Sequence, residues 1–516
     1  MTDEWDVVVV GAGTSGCPLA ARLADAGRRV LLLEAGADHR RPEDFPPELR
    51  DPARMAAAVP GSPANWNLAG TLTPGRTVGV PRGRVVGGSS ALNAGYFVRG
   101  TRADFDGWAA AGNDLWSYDR VLPAFRRLEA DADFGARPEH GADGPMPVAR
   151  IPEPGPLGEA FAAAAAELGF ADEPDKNADA APGYGPLPLT TAGGTRVNTA
   201  MAYLSPRRDQ PGLTVRGNVH VRRVVIEHGR AIGVETADGV VRAAEVVLSA
   251  GAVGSAHLLL LSGIGPADEL RATGIDVVTD VPGVGADFTD HPNVYVGYRP
   301  ARPVASGPLP LHGVLNATSD GASVPGDLEI LPWLMPFSRI TGGPSEPHRD
   351  ELHRDELHRD ELVVGVGLMR EDSRGRLTLD GTDPLRPPRL DYRYLTADSD
   401  RRRLREGVRL ACDLLRTGAL APFLGERTGL PDDVLASDRE LDAWVRQHLT
   451  TAIHLCGTAR MGADSDPGAV VDQELRVRGV AGLRVADTSV LPSAPSRGPA
   501  ATAVMLGERA AELLLR

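Results

Sequence analysis

The sequence predicts an α/β fold, α+β overall, that opens with a Rossmann-like dinucleotide-binding domain. DVVVV, residues 6 to 10, is an unbroken apolar run ended by glycine, the pattern of a strand buried on both faces. GAGTSG follows at once and places Gly11, Gly13 and Gly16 at the spacing of a dinucleotide turn, with PLAARLADAG continuing as a helical run. RVLLLEAG then reads as a second strand that ends at Glu34. At 516 residues the chain is too long for one ordinary core, so two or more packed domains are expected.

A pyrophosphate demands this order of elements. Glycines permit a tight turn and let backbone N–H groups at the helix N-terminus approach the phosphates. Thr14 and Ser15 lie inside the same turn and belong to the same expected site. An acid about 20 residues further on accepts hydrogen bonds from the adenosine ribose, a role that falls to Glu34. The competing reading is a glycine-rich turn that binds nothing. The fingerprint by itself does not separate FAD from NAD.

Composition narrows the partners. Hydrophobic residues make up 42% and charged residues 24%, the balance of a globular chain of enzyme size. A net charge of -14 argues against nucleic acid. Cys17, Cys412 and Cys456 are widely spaced, with no disulfide framework and no metal-ligand pattern, which fits a reducing cytoplasm. MTDEWDVVVV is acidic before its apolar run and lacks a signal-peptide charge pattern. VVLSAGAVGSAHLLLLSGIG carries no formal charge and is long enough to raise the question of a membrane span. Its Gly, Ser and His content reads instead as a buried strand, a turn and a helix, so no transmembrane span is expected.

A second motif separates the cofactors. Residues 81 to 100 read PRGRVVGGSSALNAGYFVRG, followed by TRADFD. This stretch resembles the first signature of the glucose-methanol-choline (GMC) oxidoreductases, a family of FAD enzymes. GAVGSAHLLLLSGIG, residues 251 to 265, is similar to the second signature, departing from it at Ala256. GVGADFTDHP, DPLRPPRLDYRYL and the closing HLCGTARMG…VVDQELRVRGVAGLRVADTSVLP resemble further family segments. The resemblance runs from about residue 5 to the last helix and is weakest between about residues 300 and 370. It implies an FAD domain assembled from discontinuous segments and a substrate domain built on an antiparallel sheet. Residues 1–300 would be mainly FAD-binding, 301–450 mainly substrate domain, and 451–516 a return to the FAD domain that carries the catalytic histidine.

The resemblance also distributes roles. GRVVGGSS offers unhindered backbone beside a flavin, with Val86 and Gly88 on that backbone, Ser89 and Ser90 as short donors, and Asn93 just beyond. LTVRGNVHVRRVVIE alternates like a strand, and the resemblance places Val221 beside the adenine. AEVVLSAGA reads as another strand and glycine turn of the same domain. Asp487 ends the strand in VADTSVLP and is implied near the ribityl and pyrophosphate. Leu92 stands where some relatives carry a histidine covalently joined to flavin, so FAD is expected to be non-covalent.

GMC enzymes pass hydride from an alcohol carbon to flavin N5 while a base removes the hydroxyl proton, a task that suits histidine. His454, in HLCGTARMG, matches the first histidine of the family's HPxGTxxMG pattern and is the expected catalytic residue. As a bare residue it would read as a structural histidine. Cys456 reads as a small packed side chain. The family's second active-site histidine or asparagine falls, on an ungapped reading of PSAPSRGPAATAVM, on Gly498, which has no side chain to share a proton. Arg497 beside it reads as an exposed loop residue or, alternatively, a cation near the flavin. Pro499 and Gly498 would form a backbone wall against the ring.

That departure, with HLCGTARMG, resembles an actinobacterial branch, the mycofactocin-system GMC oxidoreductases. The branch implies reoxidation of the reduced peptide-derived cofactor mycofactocinol, with electrons passed towards the respiratory chain, a quinone or oxygen. The alternatives are a choline-dehydrogenase-like or other small-alcohol enzyme, and a flavin-binding protein without alcohol turnover. The expected place is the cytoplasm, with a peripheral position at the inner face of the cell membrane as the alternative. HRDELHRDELHRDEL, residues 348 to 362, is a three-fold pentapeptide repeat. A period of five puts its histidines on no single helical face, so no metal site is expected, and it reads as a solvated insert. The proline- and glycine-rich stretches 134–158 and 300–326 read as connections or lids.

Overall fold

The computed structural model describes residues 5–151, 153–301, 309–336, 340 and 361–516. The HRDEL repeat, apart from Glu361 and Leu362, lies outside the described residues. Two large sheets dominate.

The first contains strand β1 (Trp5–Val10) and strand β2 (Val30–Leu33), joined by helix α1 (Gly16–Asp25). β1 pairs in parallel with β2 on one side and with Gly239–Leu248 on the other. Leu213–Arg216 extends the parallel set beyond β2, and Leu483–Val485 adds to Gly239–Leu248 from the far end of the chain. Val8, Val9, Leu31 and Leu32 are fully buried, as a sheet covered on both faces requires. Arg223–Glu227 and Arg230–Thr236 continue the sheet antiparallel. LTVRGNVHVRRVVIE is therefore two strands rather than one. Gly217 lies against Asp38, and Asn218 takes φ +56°, which turns the chain out of the sheet before it re-enters.

The charge-free stretch resolves into the end of Gly239–Leu248 and helix α2 (Gly251–Leu261). Among the described residues no helix is long and apolar enough to cross a membrane. The two stretches read as connections hold elements of their own: Met146–Val148 and the start of helix Gly155–Glu167 in one, and Gly313–Ala317 in the other.

The second sheet is antiparallel. Its order is Leu424–Thr428, β3 (Pro292–Pro300), β5 (Leu362–Leu368), β4 (Leu328–Trp333), Gly313–Ala317 and Tyr184–Pro186, with Thr450–Thr451 also paired to β3. Alternate residues of its three central strands point to opposite faces. Val294, Val296, Ile330, Leu328, Val364 and Val366 are buried, and Val366 and Leu328 reach Gly407 of the helix Asp398–Leu415. Asn293, Tyr295, Glu329, Leu331, Gly365 and Gly367 line a cavity on the other face. The last helix, α3 (Ala500–Leu514), packs so closely on α1 that a side chain at Gly507 would overlap the Ser15 carbonyl.

Candidate active site

A cavity of about 640 Å³ runs from the β1–α1 turn to the face of the antiparallel sheet. At one end Gly11 sits at φ +101°, and a Cβ there would lie 2.4 Å from the Ser249 carbonyl oxygen. Only glycine lets the chain turn this close to the neighbouring strand. The Glu34 carboxylate accepts hydrogen bonds from the N–H groups of Ala12 (3.0 Å) and Gly36 (2.8 Å), pinning the turn to the end of β2. Burial raises its pKa to about 7, opposed by those two bonds. Gly88, at φ +54°, lays the GRVVGGSS segment directly over Gly13: a Cβ on Gly88 would come 2.6 Å from the Gly13 Cα.

Most of the expected cofactor residues meet on this wall: Gly11, Gly13, Thr14, Ser15, Glu34, Gly88, Ser89, Asn93, Val221, Asp487 and Pro499. Gly16 and Val86 do not. Gly16 is set back behind Gly11, where a side chain would overlap the Gly11 carbonyl, and Val86 is fully buried. The hydroxyls of Ser15 and of Ser90, the latter expected as a donor, are already engaged. The Ser15 hydroxyl donates to the Ala503 carbonyl (2.7 Å), and that of Ser90 to the Gly87 carbonyl (2.6 Å). The Ser89 oxygen accepts from the Gly83 N–H (3.1 Å), leaving its own proton to donate. Asp487 accepts from Gly251 N–H (2.9 Å), Ser255 Oγ–H (2.5 Å) and Ser489 N–H (2.9 Å), so it caps α2 from the cavity wall.

A nucleotide cofactor fits this wall. Bare glycine backbone at Gly13 and Gly88 faces the cavity, where a Cβ on Gly13 would meet nothing closer than 3.8 Å. In the first turn of α1 the N–H groups of Cys17 and Leu19 donate to the carbonyls of Gly13 (3.1 Å) and Ser15 (3.2 Å) and Pro18 has no N–H, so the backbone that faces the cavity for phosphate oxygens is that of the turn, Gly13, Thr14 and Ser15.

His454 stands at the junction of the two ends. It follows Ile453, a β-branched residue held at φ +66°, a backbone conformation such residues avoid. The N–H groups of His454 and His291 both donate to Asp290 Oδ1, each at 2.7 Å. The two imidazoles meet edge to face, with Nδ1 to Nδ1 at 2.9 Å. A Cβ placed on Gly498 would lie 3.5 Å from both Cε1 and Nε2 of His454, so Gly498 occupies the space beside that edge of the ring. Burial, with the Arg82 guanidinium in support, lowers His454 to about 3 and keeps it neutral. The buried thiol of Cys456 donates to the His454 carbonyl (3.1 Å), a packed side chain as expected.

Arg497 is neither exposed nor on the cavity wall. It is 4% exposed, donates to the carbonyls of Gly326 and Ser496, and lies 3.8 Å from Glu173. The antiparallel sheet supplies what sequence reasoning missed. Register sets Asn293, Gly367 and Glu329 in one row and Tyr295, Gly365 and Leu331 in the next. The central glycines leave a trough between flanking side chains. Tyr96 donates its hydroxyl to Glu329 (3.2 Å) from above. The alternation in β4 signals these residues, but their partner strands are remote in sequence. His291 was visible only as part of GVGADFTDHP.

One cluster away from the cavity, Glu129, Asp131 and His140, has the closeness of a metal site. Its acids already face cations. Arg99 lies 2.5 Å from Glu129, Arg150 lies 2.5 Å from Asp131, and His140 bridges Glu129 and Asp175 at 2.9 Å each. Against the opposing effect of burial, Asp131, Asp175 and Glu129 raise His140 to about 10, so three carboxylates meet three cations.

A Rossmann-like nucleotide sheet, an antiparallel substrate sheet and a neutral histidine between them define a flavin-dependent oxidoreductase. The chain matches the GMC oxidoreductase family over residues 5–293 and again over 371–507, and it belongs to that family, with FAD as its cofactor. It is 41% identical, over 99% of each chain, to an uncharacterised GMC-type oxidoreductase from the thcA 5' region of Rhodococcus erythropolis. It is 37% identical to the mitochondrial choline dehydrogenase of Mus musculus, over 99% of this chain and 89% of that one. The crystal structure of pyridoxine 4-oxidase from Mesorbium loti superposes with a TM-score of 0.88 at 30% identity, covering 99% of both chains.

Proposed function

We propose that the chain oxidises a CH–OH donor whose hydroxyl proton is taken by His454. The carrying observation is that the Cε1–Nε2 edge of this neutral imidazole opens, beside Gly498, on the cavity that the nucleotide turn also lines. Bound FAD supplies the hydride acceptor. The backbone of Gly11, Gly13, Thr14 and Ser15 would hold its pyrophosphate, with Gly16 and Val86 packing behind. Glu34 would hold the ribose, Val221 the adenine, and Gly88, Ser89, Asn93 and Pro499 the flavin end. Asp487 would act by holding α2 in place. His454 meets the donor as a free base, with Asp290 holding its backbone and His291 its ring.

Glu329 favours a donor with a cationic head. Its carboxyl is pushed up by burial, against the opposing pull of Arg497, Tyr96 and Lys176, and a cation in the trough would favour its charged form. Tyr295 and Trp333 line the same trough and add aromatic surface for a cation. The likeness to choline dehydrogenases agrees with this reading. A bulkier donor, mycofactocinol, is the second reading, favoured by the space that Gly498 leaves open. Electrons would then pass to a respiratory component, a quinone or oxygen.

The test is anaerobic mixing of the yellow protein with choline, the uncharged carbon analogue of choline, and mycofactocinol in turn. Bleaching by choline far faster than by its analogue is expected, and Glu329→Gln should erase that preference. Equal rates for the charged and uncharged alcohols would overturn the cationic reading. No bleaching by any donor would leave a flavin-binding protein without alcohol turnover.

A further inference from the structure

Strand β5 carries different residues on its two faces. Val364 and Val366 are buried on the face that packs the helix Asp398–Leu415. On the cavity face stand Gly365, between Tyr295 and Leu331, and Gly367, between Asn293 and Glu329. Glycine weakens the interior of a strand, where it has no side chain to pack and loses the most freedom on folding. Neither backbone nor packing demands it here. Neither residue is among the glycines held at positive φ. A Cβ on Gly365 would meet nothing closer than 3.5 Å, and one on Gly367 would first meet, at 3.2 Å, the sulfur of Met369, the movable end of a flexible side chain. What the two glycines preserve is the trough itself, floored by bare backbone between strands about 10 Å apart. Its two ends differ. The row of Asn293, Gly367 and Glu329 lies next to Thr450–Thr451, which pairs with β3 and leads within three residues to His454. The row of Tyr295, Gly365 and Leu331 lies further along, and beyond it Trp333, paired with Val363, closes the floor. Met55, Leu311 and Ile340 also line the cavity, and none of the described residues named at this end is charged.

We propose that the trough over Gly365 binds an apolar substituent of the donor, of the bulk of a phenyl ring, and that Gly365 is a specificity-determining residue. The preferred donor is then an alcohol whose cationic centre carries such a substituent, rather than choline itself. The carbinol carbon sits at His454, the cation beside Glu329, and the substituent on the bare backbone of Gly365 between Tyr295 and Leu331. A flat ring there covers peptide groups that any Cβ would hold away from it. The methyl groups of choline reach only the first row and leave the apolar end to water. Release of that water and burial of the ring supply the preference.

The proposal rests on the reading that puts the carbinol at His454 and the cation at Glu329, and charged and uncharged probes separate the two failures. The probes are choline, choline with one N-methyl replaced by benzyl, and the uncharged carbon analogue of each. In FAD-loaded protein, Kd is read from the saturation of anaerobic flavin reduction, or by titration calorimetry should no alcohol bleach the flavin. The phenyl ring should tighten binding about 10–100-fold in both the charged and the uncharged pair. Gly365→Val fills the floor and should bring each ratio to within about twofold. Gly365→Ala is the milder variant should valine disturb the fold. It should cut the ratios part of the way while the Tm holds or rises, because alanine suits a strand interior better than glycine. A phenyl gain in neither pair, or one that survives both variants, overturns the proposal. A lower Tm in Gly365→Ala would show that glycine serves the strand, and overturns it as well. A phenyl gain without any preference for charge supports the trough and removes the cationic reading alone.

Discussion

Gly498 and His454 face each other at the distance of one side chain, and that distance makes their roles separable. Gly498 is not among the glycines held in the left-handed region, so its backbone accepts an ordinary residue. Gly498→Asn should therefore fold and keep its FAD. Its amide would reach Nε2 of His454 and compete with the donor for the base, a hydrogen bond worth about 0.5–1.5 kcal/mol. Flavin reduction by a bulky donor should fall by up to about tenfold, read by stopped flow without oxygen. Loss of FAD from this variant would show that glycine is needed there after all. His454→Ala should keep FAD and lose about 10²–10⁴-fold in flavin reduction. Unchanged reduction would remove His454 from the chemistry. The identity of both positions was legible in HLCGTARMG and PSRGPAATAV. Their contact was not.

At the scale of elements, the β1–α1–β2 unit reads directly from sequence because each of its signals is local. A buried strand is a run of apolar residues, a tight turn is a set of glycines, and the acid closes the unit within 22 residues of the Ala12 N–H it binds. Glu34 also makes the unit sensitive to pH. Burial raises its pKa in the FAD-free protein to about 7 from 4.5. A raised carboxyl pKa means the folded state holds a proton the unfolded state has lost. Glu34 therefore subtracts stability as pH rises from about 4.5 to about 7. Ribose hydroxyls that donate to Glu34 favour the carboxylate, so FAD binding should release a proton and tighten as pH climbs through about 7. Titration of apoprotein with FAD at several pH values checks this, and Glu34→Gln should flatten the profile. A flat profile in the unaltered chain would mean that the ribose does not bind Glu34. Leu213–Arg216 and Arg223–Glu227 read in sequence as one strand because alternation alone does not report the turn at Gly217 and Asn218.

The whole molecule encloses its cofactor site between two sheets built from interleaved segments. Leu483–Val485 completes the first sheet, while β3 and Thr450–Thr451 belong to the second. Leu92 lines the cavity and has no nucleophile to offer the flavin. Acid precipitation should then leave a colourless pellet and a yellow supernatant. Colour retained in the pellet would reveal a covalent link from another residue. On the proposed placement of FAD across the nucleotide turn and the GRVVGGSS segment, added FAD should raise the Tm of apoprotein with the logarithm of its concentration, about 2.7 kcal/mol at a hundred times Kd. A Tm independent of FAD would mean that binding does not favour the folded state.

The sequence by itself determined the nucleotide-binding unit, the family, the cofactor and the histidine proposed to meet the donor, because these signals lie within motifs of some ten to thirty residues. Tertiary structure alone decided what surrounds that histidine. His291 lies 163 residues from His454, and Tyr96 lies 233 from Glu329. Strand alternation marks Glu329 and Tyr295 as sharing a face, but only the register of β3, β5 and β4 aligns them across two glycines into a trough. Arg497 shows the same limit from the other side. A charged residue in a small-residue loop reads as exposed until the fold buries it beside Glu173. Local patterns encode which way a side chain points, whereas partners in a discontinuous site are chosen by how distant segments pack.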